Sequence, residues 1–279
     1  QRQMCIRDRV LHGGVAGAAG ATVTAQLIST VACFAYAFSK YPDLRLHKED
    51  WRITGLDLKR HIVQGVPLGL QFSVLAIGII VMQSVVVKFD MIDGQMVSHA
   101  AQNGFGAANK LNSLIMTPVN GLGTAMTSFT AQNLGAGYTH RIRKGIRSAG
   151  LCSAAFCIVI SVLVCAFAAP LMGIFIDPAE TAILAAGVHY LHIEGACYLG
   201  IGILFLLYGY YRAVNQPQMS VVLTIASLGT RVALAYLLSA TPLGVTGIWL
   251  SVPIGWALAD AIGIGYYLKK HRAKYAVQA

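Results

Sequence analysis

Long runs of apolar residues dominate this chain. Seven of them divide the sequence, at about residues 13–39, 61–87, 97–135, 148–176, 183–211, 219–240 and 244–268. A helix needs about 20 residues to cross the ~30 Å hydrocarbon core of a bilayer, and most of the runs reach that length. The pattern predicts an all-α integral membrane protein with seven transmembrane helices.

The charged residues between the runs alternate in sign. Fifteen of the twenty-one Lys and Arg residues fall in the first, third and fifth connectors and in the C-terminal tail. The other connectors hold Lys88 beside the acidic residues Asp90, Asp93, Asp177 and Glu180. Because cytoplasmic loops are enriched in Lys and Arg, this alternation predicts a multi-pass protein of the cell (inner) membrane with a cytoplasmic C-terminus.

Composition excludes several classes of protein. Hydrophobic residues make up 56% of the chain and charged residues 11%, so an ordinary soluble domain is excluded. The net charge of +10 is spread over loops, and no nucleic-acid partner is expected. The cysteines lack C-x-x-C spacing, and no H-E-x-x-H, G-x-S-x-G or P-loop motif is present. We therefore predict no enzymatic activity, no catalytic residue, no metal site and no cofactor.

A weak repeat links the first and last apolar runs. Residues 14–17 match residues 244–247, and Tyr36 and Lys40 match Tyr266 and Lys270, all at an offset of 230 positions. Repeats with the same orientation need an even number of helices each, as in many transporters. The repeat therefore predicts six-helix lobes, with about five helices of an N-terminal lobe preceding this fragment.

Four parts follow from these patterns. Residues 1–9 fit neither a signal peptide nor the charge pattern, so we interpret them as a non-native leader. Residues 10–40 form the last helix of the N-terminal lobe, and residues 41–60 form a basic cytoplasmic connector with a short interfacial helix. Residues 61–279 form the six-helix C-terminal lobe with its basic tail.

Four charged residues lie inside the predicted helices: Lys110, Glu194, Arg231 and Asp260. A lipid-facing charge would cost at least ~2.5–3.5 kcal/mol, so these residues either pair with one another or face water. Two hypotheses therefore stand, structural ion pairs and an aqueous transport path.

Two of these charges are candidates for carrying a proton. Nonpolar surroundings favour the neutral form of a carboxyl group, so Glu194 and Asp260 are assigned to an ion or proton relay, with Arg231 beside them. His189 and His192, one turn before Glu194, either join that relay or only form hydrogen bonds between helices.

Uncharged amides are frequent in the second and third runs. We predict that they line a water-filled cavity together with Lys110. The predicted cavity residues are Gln71, Gln83, Asn103, Asn109, Lys110 and Asn112. The third run is also too long for one straight helix across the membrane, and Pro118 predicts a bend in it.

One string closes the third run, just before the basic residues 141–147. It contains Gln132, Asn133, Gly135 and Gly137. Either glycine can supply the left-handed cap that ends a helix, and the basic residues then anchor the loop in the cytoplasm.

With residues 65–71 and Gln83 before it and Pro253 and Trp256 after it, this string resembles the MATE (multidrug and toxic compound extrusion) family. The resemblance covers residues 11–270 and implies two six-helix lobes around a central cavity. It also implies an antiporter that exports amphipathic, often cationic, drugs or toxic metabolites in exchange for H⁺ or Na⁺.

The chain departs from the family pattern at positions where relatives carry acids. Leu75, Asn112 and Ser227 stand there instead, so the resemblance implies that the coupling ion binds in the missing N-terminal lobe. The expected partners are a small-molecule substrate, the lipid bilayer and that lobe. The alternatives are a lipid-linked oligosaccharide flippase of the same superfamily and a non-transporting membrane protein.

Reporter fusions at Lys144 and Glu180 test the predicted orientation. Alternating insertion puts Lys144 in the cytoplasm and Glu180 outside the cell. A reporter enzyme that is active only outside the cytoplasm should therefore give a signal at Glu180 alone. A signal from both fusions, or from neither, would contradict the alternation.

Overall fold

The computed structural model describes residues 14–41, 54–92, 95–96 and 98–271. The chain divides into two compact units, Gln1–Lys59 and Arg60–Ala279. The predicted leader, and most of the predicted connector with its interfacial helix, lie outside the described residues. In the first unit, helix α1 (Gly14–Lys40) carries a nearly continuous exposed apolar surface.

Helical segments account for nearly all of the described part of the second unit. The helices are α2 (Gly55–Val87, which begins in the first unit), α3 (Ala100–Gly135), α4 (Thr139–Ala166), α5 (Ala168–Met172), α6 (Thr181–Gly195), α7 (Tyr198–Ala213), α8 (Pro217–Ser239) and α9 (Gly244–Tyr266). A 3₁₀ turn at Lys88–Asp90 follows α2, and a π-helical turn at Tyr267–His271 follows α9. The predicted all-helical fold is confirmed.

Within the described residues, five helices are long and apolar enough to cross a membrane, namely α1, α2, α4, α8 and α9. Helices α6 and α7 form a sixth candidate as a pair bent by 58°. Helix α3 continues unbroken through Pro118, but it is not among these candidates. The count of seven transmembrane helices therefore stays a prediction.

The run at residues 183–211 is broken rather than continuous. Helix α6 ends at Gly195 and α7 begins at Tyr198, and the backbone turns between them through a hydrogen bond from the Cys197 N–H to the Glu194 carbonyl (3.0 Å). A break in a buried helix frees backbone groups and redirects side chains. It places Glu194 at the turn.

A buried aspartate joins α2 to α3. Asp90 precedes a hairpin in which Met91–Ile92 pairs antiparallel with Gln95–Met96. Its carboxylate accepts hydrogen bonds from the backbone N–H groups of Ala101 (3.0 Å) and Gln102 (2.8 Å). The first N–H groups of a helix have no partner within the helix. Asp90 therefore caps α3, and its negative charge suits the positive end of the helix dipole.

Helices α3 and α7 pack at two glycines. A β-carbon at Gly209 would overlap the Gly123 carbonyl oxygen, and one at Gly123 would lie 2.9 Å from the Phe205 carbonyl oxygen. The Thr127 hydroxyl lies 3.1 Å from the Gly209 carbonyl oxygen. Small residues let membrane helices approach closely, so packing and interhelical hydrogen bonds replace the hydrophobic effect.

The surface of the second unit is apolar where a soluble protein would be polar. Leu151, Val162 and Leu237 are 73%, 63% and 66% exposed, whereas Glu194 and Asp260 are only 2% and 8% exposed. Such a surface suits contact with lipid. Lipid offers no hydrogen bonds, so the polar groups have to be satisfied within the protein.

The α3–α7 contact predicts a stability difference between two substitutions. Gly209→Ala forces these helices apart and should lower stability by about 1–3 kcal/mol. Gly121→Ala is the matched control, because no atom lies within 4 Å of its added β-carbon. Thermal unfolding in detergent should show the loss for Gly209→Ala alone. Equal stabilities would contradict the described packing.

Candidate functional site

A cavity of about 240 Å³ lies inside the second unit. Its walls come from α2, α3, α6, α7, α8 and α9, and we call it the central cavity. It brings together five of the residues that the sequence assigns to a cavity or relay: Gln71, Asn109, Asn112, Glu194 and Arg231. Phe105, Phe205, Tyr208 and Trp256 supply an aromatic part of the wall.

Glu194 is the most buried charge in this cavity. The Asn112 side-chain amide donates a hydrogen bond to its Oε1 at 3.0 Å. Arg231 lines the same cavity and interacts electrostatically with this carboxylate. Its Oε2, like the Asn112 Oδ1, makes no hydrogen bond with another described residue. A buried carboxylate with a free oxygen has room to bind a proton, a cation or a ligand donor.

The aromatic core fixes the position of this carboxylate. Tyr190, one turn before Glu194, packs edge-on against Phe105 (5.2 Å between ring centroids) and Trp249 (4.9 Å). Phe105 also stacks on Trp249 at 5.4 Å. These rings hold α3, α6 and α9 together, so Glu194 is presented from a rigid wall.

Arg212 of α7 contributes a second polar group to the central cavity. The Arg212 guanidinium donates a hydrogen bond from Nη2 to the Gln71 Oε1 at 3.1 Å, and it lies 5.8 Å from the Tyr208 ring centroid. The hydroxyls of Tyr208 and Thr224 are 3.0 Å apart. This chain of contacts links α2, α7 and α8 on the side of the cavity away from Glu194.

Three of the predicted cavity residues lie elsewhere. Gln83, Asn103 and Lys110 line a second cavity, of about 480 Å³, between α2, α3 and α6. Lys110 is exposed and lines this second cavity rather than the central one, so its predicted role in transport stays a prediction. It points from the opposite side of α3 to Asn112, because a helix turns by about 200° over two residues.

Asp260 lines neither the central cavity nor the second cavity. It is 8% exposed and lies on α9 against α7, where a β-carbon at Gly200 would be 3.6 Å from its Oδ2. Its Oδ1 makes no hydrogen bond with another described residue. Although the sequence assigns it to a relay with Glu194, it does not line the central cavity.

The ion pairs that the sequence leaves open as one alternative are not formed within 4 Å among the described residues.

His189 and His192 make their side-chain contacts with neighbouring helices rather than with Glu194. His189 Nε2 lies 3.1 Å from the Thr246 hydroxyl, and His192 Nε2 lies 3.0 Å from the Cys165 carbonyl oxygen. Neither histidine lines the central cavity. In the part of the chain that is described, no cluster of three His, Cys, Asp or Glu residues is placed to hold a metal ion.

The string at the end of α3 has a structural place outside the cavities. Asn133 is buried, and its amide donates to the Phe129 carbonyl at 2.8 Å. Gly137 has φ +77°, a left-handed conformation that favours glycine, whereas Gly135 is helical. Gln132 and Gly135 lie on the exposed face of the helix end.

Sequence reasoning missed Arg212. Its position just before a connector made it look like an anchor at the cytoplasmic surface, yet its side chain lies in the central cavity. The aromatic and hydroxyl lining was missed too, because Phe, Tyr and Thr are ordinary residues in a membrane helix. The sequence did contain one signal for Arg212. Gln71 was predicted to line a cavity, and a buried amide needs a hydrogen-bond partner, which Arg212 on α7 provides.

Comparison with known proteins agrees with this architecture. The family model MatE matches residues 78–237. The chain is 30% identical over 261 residues to the probable multidrug resistance protein YpnP of Bacillus subtilis, covering 92% of this chain and 55% of that protein. It is 29% identical over 188 residues to the FAD transporter of Shewanella oneidensis, covering 66% and 39%.

Solved structures share the fold. The crystal structure of MATE in complex with MaL6 superposes with a TM-score of 0.83 at 19% identity, over 98% of this chain and 59% of that one. The chain spans between about two fifths and just over half of the length of the curated relatives it matches. Because the MatE model covers more than half of this chain, the resemblance at Gln132 and its neighbours is confirmed, and the chain belongs to the MATE family of membrane transporters.

Proposed function

We propose that this chain works in a secondary active antiporter that exports amphipathic small molecules in exchange for H⁺ or Na⁺. The observation that carries the proposal is the central cavity, in which Glu194, Asn112 and Arg231 meet inside a bundle with an apolar outer surface. A polar, partly aromatic cavity is the kind of site that binds small molecules.

The proposed protein has two lobes. Residues 10–40 would be the last helix of the N-terminal lobe, and residues 61–279 would be the six-helix C-terminal lobe. Together the two parts would supply seven transmembrane helices. The missing N-terminal lobe is then the main protein partner. The alternating loop charges support a place in the cell (inner) membrane with the C-terminus in the cytoplasm.

Ion coupling is proposed to involve Glu194. Its free Oε2 and its neighbour Arg231 give two alternatives for neutralising the carboxylate, either the guanidinium or a bound proton or cation. A substrate that enters the same cavity would favour one of these two ways of neutralising the carboxylate over the other. Substrate binding would in this way be coupled to the binding or release of the ion. Asp260 is proposed as a secondary charge that acts from outside the cavity.

The relatives differ in what their names say they carry, multidrug resistance in one and FAD in another. A cationic amphipathic substrate therefore stays a prediction for this chain.

An efflux assay tests the proposal. The chain and the N-terminal lobe that the proposal requires are reconstituted in liposomes with fluorescent amphipathic dyes, cationic and anionic. We expect dye movement only when a pH or Na⁺ gradient is imposed. Movement of lipid-linked oligosaccharide instead of dye would favour the flippase, and no gradient-driven movement of either would contradict the proposal.

Glu194→Gln keeps the shape of the side chain and removes its charge. Loss of a charged hydrogen-bond acceptor costs about 1.5–3 kcal/mol, so gradient-driven efflux should fall on the order of 10-fold. Glu180→Gln is the control, because Glu180 is exposed at the start of α6. Unchanged efflux in Glu194→Gln would place the coupling site outside this lobe.

Lys110→Leu tests whether the second cavity belongs to the transport path. Lys110 shares that cavity with Gln83 and Asn103. Removing the charge should reduce efflux without preventing insertion, because lipid tolerates Leu better than Lys. Lys144→Leu, at an exposed position of α4, is the control. Full drug resistance of cells carrying Lys110→Leu would argue against any role of this cavity.

A further inference from the structure

Arg212 lies where two cavities of the second unit meet. It lines the central cavity, and it also lines a third cavity of about 430 Å³ formed with His61, Gln64, Leu68 and Pro217. Since α7 ends at Ala213, this junction is near the end of the lobe that the loop charges predict to be cytoplasmic. The Arg212 side chain is therefore part of the wall of both cavities.

Neutral groups hold the guanidinium in place. Gln71 accepts a hydrogen bond from its Nη2, and the Tyr208 ring lies beside it. Its Nε is buried and makes no hydrogen bond with another described residue. The side chain is therefore fixed in position, with donor capacity left over.

No carboxylate among the described residues neutralises this charge. The hydroxyls of Tyr208 and Thr224 mark one level of the antiparallel pair α7 and α8. Arg212 lies four residues beyond Tyr208 on α7. Arg231 lies seven residues beyond Thr224 on α8, which runs in the opposite direction. At 1.5 Å per residue, the two arginines are therefore about 16 Å apart along the helix axes. Glu194 interacts with Arg231, and Asp260 faces Gly200 and acts electrostatically on Tyr208, whereas the electrostatic partner of Arg212 itself is Tyr208.

A half-buried cation that makes no ion pair with a described residue is unfavourable, and a bound anion would remove that penalty. Guanidinium matches phosphate and carboxylate in a two-pronged geometry that a single ammonium lacks. Phe205 and Tyr208 pack edge-to-face (6.1 Å between centroids) on the wall next to Arg212, where an aromatic ring could stack.

We propose that Arg212 binds the anionic group, phosphate or carboxylate, of a substrate whose planar ring occupies the central cavity. This inference rests on the proposed export function and names its substrate class. It departs from the cationic substrates that the family resemblance implies. The charged residues lining the central cavity are Arg212, Arg231 and Glu194, which leaves one positive charge in excess.

Two flavins that differ only in a phosphate test the proposal. The full chain is purified into nanodiscs of neutral lipid, and binding of riboflavin and riboflavin 5′-phosphate is followed by flavin fluorescence. We expect the phosphate form to bind on the order of 10-fold more tightly. Equal affinities, tighter binding of riboflavin, or no binding of either flavin would overturn the proposal.

Variants locate the preference. Arg212→Gln should abolish the difference between the two flavins, and Arg212→Lys should keep part of it. Arg147→Gln removes the same charge from an exposed position of α4 and should leave the preference intact. If Arg212→Gln fails to fold, the Lys variant and the wild-type comparison still decide. A preference that survives in a folded Arg212→Gln protein would contradict the assignment.

Nanodiscs that contain an anionic phospholipid separate two sources of phosphate. If a lipid headgroup is the natural ligand, these discs should abolish the flavin preference, whereas a soluble substrate leaves it unchanged. Binding needs no ion gradient, so the outcome is independent of transport. Efflux without a phosphate preference would refute this inference alone, and a preference without efflux would refute the proposed function alone.

Discussion

A polar group within a bilayer must be satisfied by the protein or by enclosed water, because lipid offers no hydrogen bonds. The arrangement around Glu194 follows from that constraint. Glu194 is 2% exposed, its carboxylate accepts a hydrogen bond from Asn112 of α3, Arg231 of α8 acts on it electrostatically, and it stands at a break in its own helix. None of these groups alone offsets the desolvation of a carboxylate, so the surrounding helices have to converge on one point. The central cavity lies at that convergence.

The same constraint explains how the helices pack. Since apolar side chains gain little by leaving lipid, close contact depends on residues such as Gly123 and Gly209, which let backbones meet. Helix α2 contributes to the cavity through Gln71, whose amide reaches Arg212. A polar cavity between well-packed walls is the feature on which the proposed exchange of a proton, a cation or a substrate depends.

Much of this was accessible from the sequence because membrane insertion leaves strong signals. The apolar runs predicted the helices, and the string ending at Gly137 predicted both a helix cap and the family. The structure places Glu194 and Asn112, both singled out from the sequence, together in the central cavity, whereas their role in transport stays a prediction. The sequence does not specify which way a side chain points around an apolar helix, so it could not show that Lys110 and Asn112 line different cavities. Arg212 was missed because a basic residue near a connector is typical of a loop anchor.

Water accessibility tests the central claim, that the interior of this lobe holds a polar cavity. In a variant that lacks the six native cysteines, Thr124→Cys places a thiol in the central cavity, and Leu151→Cys places one on the apolar outer surface. A water-soluble maleimide added to membranes should label position 124 and spare position 151. Labelling of neither position, or of position 151 alone, would contradict a hydrated cavity.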